Sequence, residues 1–178
     1  GAVQVNAGVV EVGYTLGDGS LWITSPSTLA SSTLRVATAS GGPTIAGNLF
    51  IHGGALDISQ TATVGNGGRA RLEVTDGGVL SAWRLTLAAA NFASPLASQA
   101  TMILRGAGAK AEVDQTLTLG EYGFAETFIS DGALLQSGAL SSSYAAVLAS
   151  RTGSVSNLTL DGPDTAWRHG GTIVVGDL

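Results

Sequence analysis

The clearest pattern along the chain is a triplet in which two apolar residues flank one variable residue. It recurs six times, although in the fifth copy a threonine takes the first apolar place. Alternate residues of a β-strand point to opposite faces, so the two flanking residues share the buried face and the middle residue points outward. We therefore predict six short strands, called first strands below, which begin at Leu21, Leu49, Leu72, Met102, Thr127 and Leu158.

Two further strands are predicted to follow each first strand. A tight turn leads into a second short strand, and Asp76-Gly77 and Asp131-Gly132 are clear examples of that turn, because Asp and Gly tolerate the positive φ that it needs. The third strand has the same alternation and ends in Gly or Ala. We place the third strands at residues 14–17, 62–65, 85–88, 117–120, 146–149 and 173–176.

These segments belong to an internal repeat. Residues 102–120 align with residues 158–176 without a gap at an offset of 56, and residues 72–80 align with residues 127–135 at an offset of 55. The first strands begin 28, 23, 30, 25 and 31 residues apart, so the differences in length fall in loops. Self-similarity of this kind is the signature of a stacked repeat protein.

The repeat predicts an all-β solenoid. Each strand has only two or three inward residues, which is too few to stabilise an isolated hairpin. Stacked coils solve this problem, because each backbone group pairs with the coil above or below and the inward aliphatic side chains join into one core. We expect about six to seven coils with three short strands in each.

Stretch 85–100 is the exception: it is rich in Ala, and Pro95 argues against a long helix. It is predicted to be the end of a strand followed by a loop or one helical turn.

The repeat units resemble those of autotransporter (type V secretion) passenger domains. The resemblance rests on residues 117–123 and 129–135 (LTLGEYG and ISDGALL) and on residues 157–176 (NLTLDGPDTAWRHGGTIVVG); it covers 49–178 well and 1–48 loosely. It implies a right-handed, single-stranded parallel β-helix, displayed on the bacterial surface, often as an adhesin in virulence. It also implies an outer-membrane barrel that lies outside this chain. We therefore expect residues 1–178 to be one β-helix segment of a longer passenger domain.

Composition excludes several function classes. Charged residues make up 12% of the chain and apolar residues 44%, which is the opposite of the balance in disordered proteins. The net charge is −5 and basic residues form no cluster, so neither nucleic acid nor an anionic membrane surface is an expected partner. The absence of Cys excludes a disulfide framework and a cysteine zinc site. No apolar run approaches the ~20 residues of a membrane-spanning helix, so this segment is not expected to insert into a membrane.

We predict no catalytic, cofactor or metal site. His52 and His169 each precede two glycines and are expected to be solvent-exposed turn residues, because no third ligand stands at a recognised metal-binding spacing. Asp76 and Asp131 occupy matching turns two coils apart, about 10 Å by strand spacing. The coil between them has Arg105 and Gly106 there instead of a carboxylate, which favours simple Asx turns.

Two Trp-Arg pairs are the candidate contact residues. Trp83-Arg84 and Trp167-Arg168 each follow an alanine and are assigned to the second strand of a coil. An exposed Trp beside an Arg is typical of a contact point for protein or sugar. The alternative is that both rings cap the core at a corner. The loops that differ most between coils, at 88–100, 120–126 and 139–146, are further candidate contact surfaces.

The leading functional hypothesis is a non-catalytic stalk and adhesin-like module that binds a protein or glycan on a host cell or a neighbouring cell. One alternative is a β-helix polysaccharide lyase or hydrolase, for which Arg35, Arg105, Lys110 and Asp114 are the only loose candidates. Another is a self-associating module for cell–cell aggregation, joined through exposed ends or through a flat Thr/Ser/Asn face.

Overall fold

The six first strands form one parallel sheet, as the triplets predict. The computed structural model describes residues 3–14, 17–38, 45–89, 98–138 and 144–176. Their strands are β1 (Gln4–Tyr14), β2 (Gly19–Thr24), β3 (Thr28–Thr38), β4 (Ala46–His52), β5 (Ala55–Asn66), β6 (Arg69–Thr75), β7 (Val79–Leu87), β8 (Gln99–Arg105), β9 (Lys110–Val113), β10 (Leu117–Leu119), β11 (Phe124–Ser130), β12 (Leu134–Ser137), β13 (Tyr144–Leu148), β14 (Val155–Asp161), β15 (Ala166–His169) and β16 (Thr172–Val175). The first-strand sheet has the order β2-β4-β6-β8-β11-β14. The six predicted starting residues pair in one column: Leu21, Leu49, Leu72, Met102, Thr127 and Leu158.

The other strands form a second, ten-stranded sheet that contains the second and third strands of each coil. In the first coils one long strand, β1, β3 or β5, spans both positions. The division appears at β7, which pairs with β9 through residues 79–82 and with β10 through residues 85–87. All pairings between these strands are parallel, and the described ranges contain no helix. The predicted all-β solenoid is thus confirmed, with about six turns.

Five of the six predicted third strands are confirmed, because residues 62–64, 85–87, 117–119, 146–148 and 173–175 pair with one another in register. The first one was misplaced. Val10 pairs with Leu34, which in turn pairs with Ala62, so residues 10–12 form that third strand and residues 34–36 form one that the sequence analysis missed. The segment from Val10 to Gly13 has the same apolar alternation before Gly as the predicted segment 14–17, and the pattern alone does not choose between them. Residues 15 and 16 lie outside the described ranges.

The inward side chains of the coils form one hydrophobic core. In the coil of β6 and β7, Leu72, Val74, Leu80, Leu85 and Leu87 are all completely buried. Each such side chain contributes roughly 1.5–3 kcal/mol relative to an exposed one. In the last described coil, Leu158 and Ile173 are only partly buried, and Leu160 is 44% exposed.

A second column marks the end of each third strand. It holds seven residues with φ between 54° and 109°: Gly13, Ala37, Gly65, Ala88, Gly120, Ala149 and Gly176. Glycine stands at the two shortest connections to the next coil. Three residues separate Gly65 from β6 and Gly120 from β11, whereas ten separate Ala88 from β8. A Cβ at Gly65 or at Gly120 would lie 2.7 Å from the carbonyl oxygen of a residue two first strands further along, Gln99 on β8 or Val155 on β14.

The predicted Asp-Gly turns are confirmed. Asp76 and Gly77 have φ of 55° and 76°, and Asp131 and Gly132 have φ of 57° and 83°. The amide that follows each pair donates to the carbonyl oxygen three residues earlier, at 2.8 Å and 3.2 Å. Two successive positive φ values with this hydrogen bond match a type I′ turn.

Two loop predictions fall outside the described ranges, namely residues 90–97 with Pro95 and residues 139–143. Residues 85–87 end β7, as expected for the start of the Ala-rich stretch. Within the described part of the chain, no helix has the length and apolar character needed to cross a membrane.

We expect Gly65→Ala to destabilise the protein more than Gly77→Ala. Both glycines have positive φ, so either substitution costs about 1–2 kcal/mol of backbone strain. A Cβ at Gly65 also meets the Gln99 carbonyl oxygen at 2.7 Å, whereas a Cβ at Gly77 meets nothing within 4 Å. Urea unfolding should therefore show a loss of more than about 2 kcal/mol for Gly65→Ala. Equal losses for the two variants would contradict the close approach of the Gln99 carbonyl oxygen to Gly65.

Candidate binding face

The middle residues of the six triplets form an outward column on the first-strand sheet. The column consists of Trp22, Phe50, Glu73, Ile103, Phe128 and Thr159, paired in register. Trp22 is 56% exposed and Phe128 is 40% exposed, while the residues that flank them point into the core. A row of exposed apolar side chains with polar neighbours is typical of an interaction surface.

Aromatic rings cluster at the β2 end of this column. Trp22 and Phe50 are directly paired on adjacent strands, about 4.8 Å apart in a sheet, which brings their rings face to face. The ring centroids are 4.0 Å apart with an interplanar angle of 20°. The imidazole of His52 stands edge-on to both rings, at 5.2 Å from Trp22 and 5.8 Å from Phe50.

An ion pair between an exposed arginine and a buried glutamate adjoins these rings on β6. Arg71 donates from Nε at 3.0 Å and from Nη2 at 2.6 Å to Oε2 of Glu73. Only 11% of the Glu73 side chain is exposed, compared with 46% for Arg71. His52 Nε2 lies 3.9 Å from the other carboxylate oxygen, Oε1, which is too long for a hydrogen bond.

An amide completes the cluster. Asn48 pairs with Arg71 across the two strands, and its Nδ2 donates to Ser20 Oγ at 3.3 Å. We call the following residues the Trp22 patch: Trp22, Asn48, Phe50, His52, Arg71 and Glu73. The patch combines aromatic surface with a fixed carboxylate, a guanidinium and an amide, so it can stack on a ring and exchange hydrogen bonds with its rim. In the described ranges no three His, Asp or Glu residues lie close enough together to hold a metal ion.

This patch was not predicted, although the sequence contains a signal for it. The flanking residues of the triplets predict the core. The middle residues Trp22, Phe50 and Glu73 follow one another in successive triplets, which indicates stacked rings next to a carboxylate on the outer face.

Trp83 and Trp167 are not equivalent, contrary to the prediction that both lie in the second strand in the same way. Trp167 pairs with the buried Leu135, packs against the core and donates from Nε1 to Ser137 Oγ at 3.0 Å. Trp83 lies at a corner, after the last residue of β7 that pairs with β9, and is partly buried. The matching tripeptides thus stand at different points of the coil, and a contact role for either Trp stays a prediction.

The two neighbouring arginines also differ. Arg84 is exposed, and its Nε donates to Gln115 Oε1 at 2.9 Å. Arg168 is exposed between two shallow clefts of about 330 Å³ each. One cleft includes Lys110 and Asp164, and the other includes His169.

The histidines and turn aspartates can be compared with their predicted places. His52 is not a solvent-exposed turn residue: it ends β4, and its side chain is 27% exposed beside the aromatic rings. His169 is exposed at the end of β15, as expected, with Nδ1 at 3.0 Å from the Gly171 carbonyl oxygen. Asp76 and Asp131 do occupy matching turns, because the residue before each pairs with Arg105.

The residues considered for a polysaccharide-cleaving site do not converge. Arg35 on β3 pairs with Glu11 at 3.0 Å, and Lys110 on β9 forms an ion pair with Glu112. Arg105 lies on the other sheet, at the end of β8. Asp114 follows β9, where its amide donates to the Ala82 carbonyl oxygen.

Comparison of the chain with protein-family models, with curated proteins and with solved structures finds no match. Function is therefore inferred from the side chains on the outer face of the first-strand sheet.

One carboxyl group outside the Trp22 patch has a shifted pKa. Glu121 lies in the connection between β10 and β11, beside a cavity of about 160 Å³ that Arg151 also lines. Burial raises the pKa of Glu121 above 4.5, and the positive charge of Arg151 partly offsets this effect. The guanidinium carbon of Arg151 lies 5.5 Å from the centre of the Tyr122 ring.

We expect Glu121→Gln to raise the melting temperature at about pH 7 and to leave it nearly unchanged at about pH 4. The folded state holds the Glu121 proton to a higher pH than the unfolded chain, so stability falls as pH rises from 4.5 through the raised pKa. Glutamine removes this loss. Because the group is partly solvated, we expect a gain of about 1–2 °C. Glu126→Gln on the outer face of β11 serves as the control. A lower melting temperature for Glu121→Gln at pH 7 would mean that the attraction to Arg151 outweighs burial.

Proposed function

We propose that this chain is a non-catalytic stalk and binding segment of a secreted bacterial surface protein. It holds the outer face of the first-strand sheet against a protein or glycan on a host cell or a neighbouring cell. The location on the bacterial surface, with an outer-membrane anchor outside this chain, rests on the resemblance of the repeat units to autotransporter passenger domains.

The Trp22 patch is the observation that supports this proposal most directly. Trp22 contributes an exposed indole, and aromatic and arginine residues are the side chains that most often dominate binding energy at protein surfaces. The patch is built on paired strands and not on a loop, so its groups have little conformational freedom to lose on binding.

The solenoid supports the stalk role. Neighbouring coils share a continuous core and parallel ladders, so each coil stabilises the next and the rod resists bending. A rigid rod places a binding face at a fixed distance from its anchor.

We expect the double variant Trp22→Ala/Phe50→Ala to reduce binding of the labelled chain to cultured epithelial or bacterial cells by at least about tenfold, the loss expected for hot-spot aromatics. Both side chains point away from the core, so the circular dichroism spectrum should be unchanged. Trp83→Ala on the other sheet is the matched control. Loss of binding with Trp83→Ala and not with the double variant would move the contact surface to the corner at Trp83.

A further inference from the structure

The groups of the Trp22 patch span three adjacent strands, about 10 Å from Trp22 to Glu73, which is the reach of two linked sugar rings. Asn48 and Phe50 are two residues apart on β4, about 7 Å along the strand, and Arg71 and Glu73 pair with them on the adjacent strand about 4.8 Å away. Phe50 supports one face of the Trp22 indole, and more than half of the Trp22 side chain stays exposed. An aromatic surface therefore adjoins hydrogen-bonding groups of both polarities.

We propose that the Trp22 patch binds a neutral glycan. The inference rests on the proposed function, because it takes this face as the contact surface. A pyranose ring has an apolar face of C–H bonds and a rim of hydroxyl groups. The apolar face of one ring packs on the exposed surface of Trp22. The hydroxyls of the next ring, beyond Phe50, donate to the Glu73 carboxylate and accept from Asn48 and Arg71.

The charges of the patch favour an uncharged ligand. Arg71 and Glu73 neutralise each other through two hydrogen bonds to one carboxylate oxygen. Together the two side chains carry no net charge, so the pair as a whole attracts neither an acidic nor a basic ligand. A hydroxyl group needs no net charge at the contact, and it can still donate to the carboxylate.

The ion pair also fixes the positions of the polar groups before any ligand arrives. Both guanidinium hydrogen bonds go to Glu73 Oε2, so Oε1 accepts no hydrogen bond from Arg71 and lies at 3.9 Å from His52. Asn48 is held by its bond to Ser20. Ordering these side chains on binding therefore costs little, which favours recognition of weakly binding hydroxyl groups.

The test uses tryptophan fluorescence with a single reporter. The chain has three tryptophans, so Trp83→Phe/Trp167→Phe leaves Trp22 alone. This variant is titrated with neutral polysaccharides built from glucose, mannose, galactose or xylose, and with dextran sulfate and polygalacturonate as anionic probes. We expect a saturable change of Trp22 emission with at least one neutral polymer, unaffected by added salt, and none with the anionic ones. Glu73→Gln in the same background should weaken binding about tenfold and keep the fold, while Glu126→Gln should not change it.

Two outcomes overturn the inference: no response to any neutral polymer, or a salt-sensitive response to the anionic polymers alone. Since Trp167→Phe removes the hydrogen bond to Ser137, the double variant must first show an unchanged urea unfolding curve. If it does not fold, retardation in gels that contain the same polymers compares the unchanged chain with Trp22→Ala, and equal mobility in all gels overturns the inference. If cell binding depends on Trp22 while no neutral polymer binds, the proposed function stands and only the glycan is wrong.

Discussion

Everything in this molecule depends on in-register pairing of parallel strands from one coil to the next. Because each residue lies directly over its counterpart about 4.8 Å away, inward positions become columns of buried aliphatic side chains and outward positions become columns on the surface. The same constraint that places Leu49 over Leu72 in the core places Trp22 over Phe50 outside it. A single register therefore determines both which side chains pack together in the core and which lie side by side on the surface.

The register could be predicted from the sequence wherever two apolar residues flank a variable one, since only one orientation of the strand then buries both apolar side chains. Prediction failed where that condition was not met. Two adjacent segments, 10–13 and 14–17, fit the third-strand pattern equally well, and only the pairing of Val10 with Leu34 distinguishes them. The tripeptides at Trp83 and Trp167 have the same sequence, but they occupy different positions in their coils, because a corner precedes Leu85 in one of them. Identity over three residues therefore does not show where in the coil those residues lie.

The surface was harder to predict than the core for a physical reason. Inward positions must all be apolar because they are buried, so they can be recognised in the sequence. Outward positions can hold any residue type, and their contacts depend on which strands are neighbours. The partners of Glu73 illustrate this: Arg71 is close in the sequence, but His52 and Phe50 come from the preceding coil. Phe50 and Glu73 are 23 residues apart along the chain, with β5 between them, and only the strand pairing brings them together.

Glu73 has a further consequence for how the outer face behaves in water. Without it, the column of Trp22, Phe50, Ile103 and Phe128 would be a continuous apolar stripe, and exposed stripes on flat sheets promote unspecific association. An ion pair with an exposed arginine adds little net stability, because water screens the attraction between the two charges. Its effect is instead to divide the stripe and to give the aromatic cluster a directional, hydrogen-bonding edge. The face thereby discriminates between a ligand that matches its polar groups and one that is merely apolar.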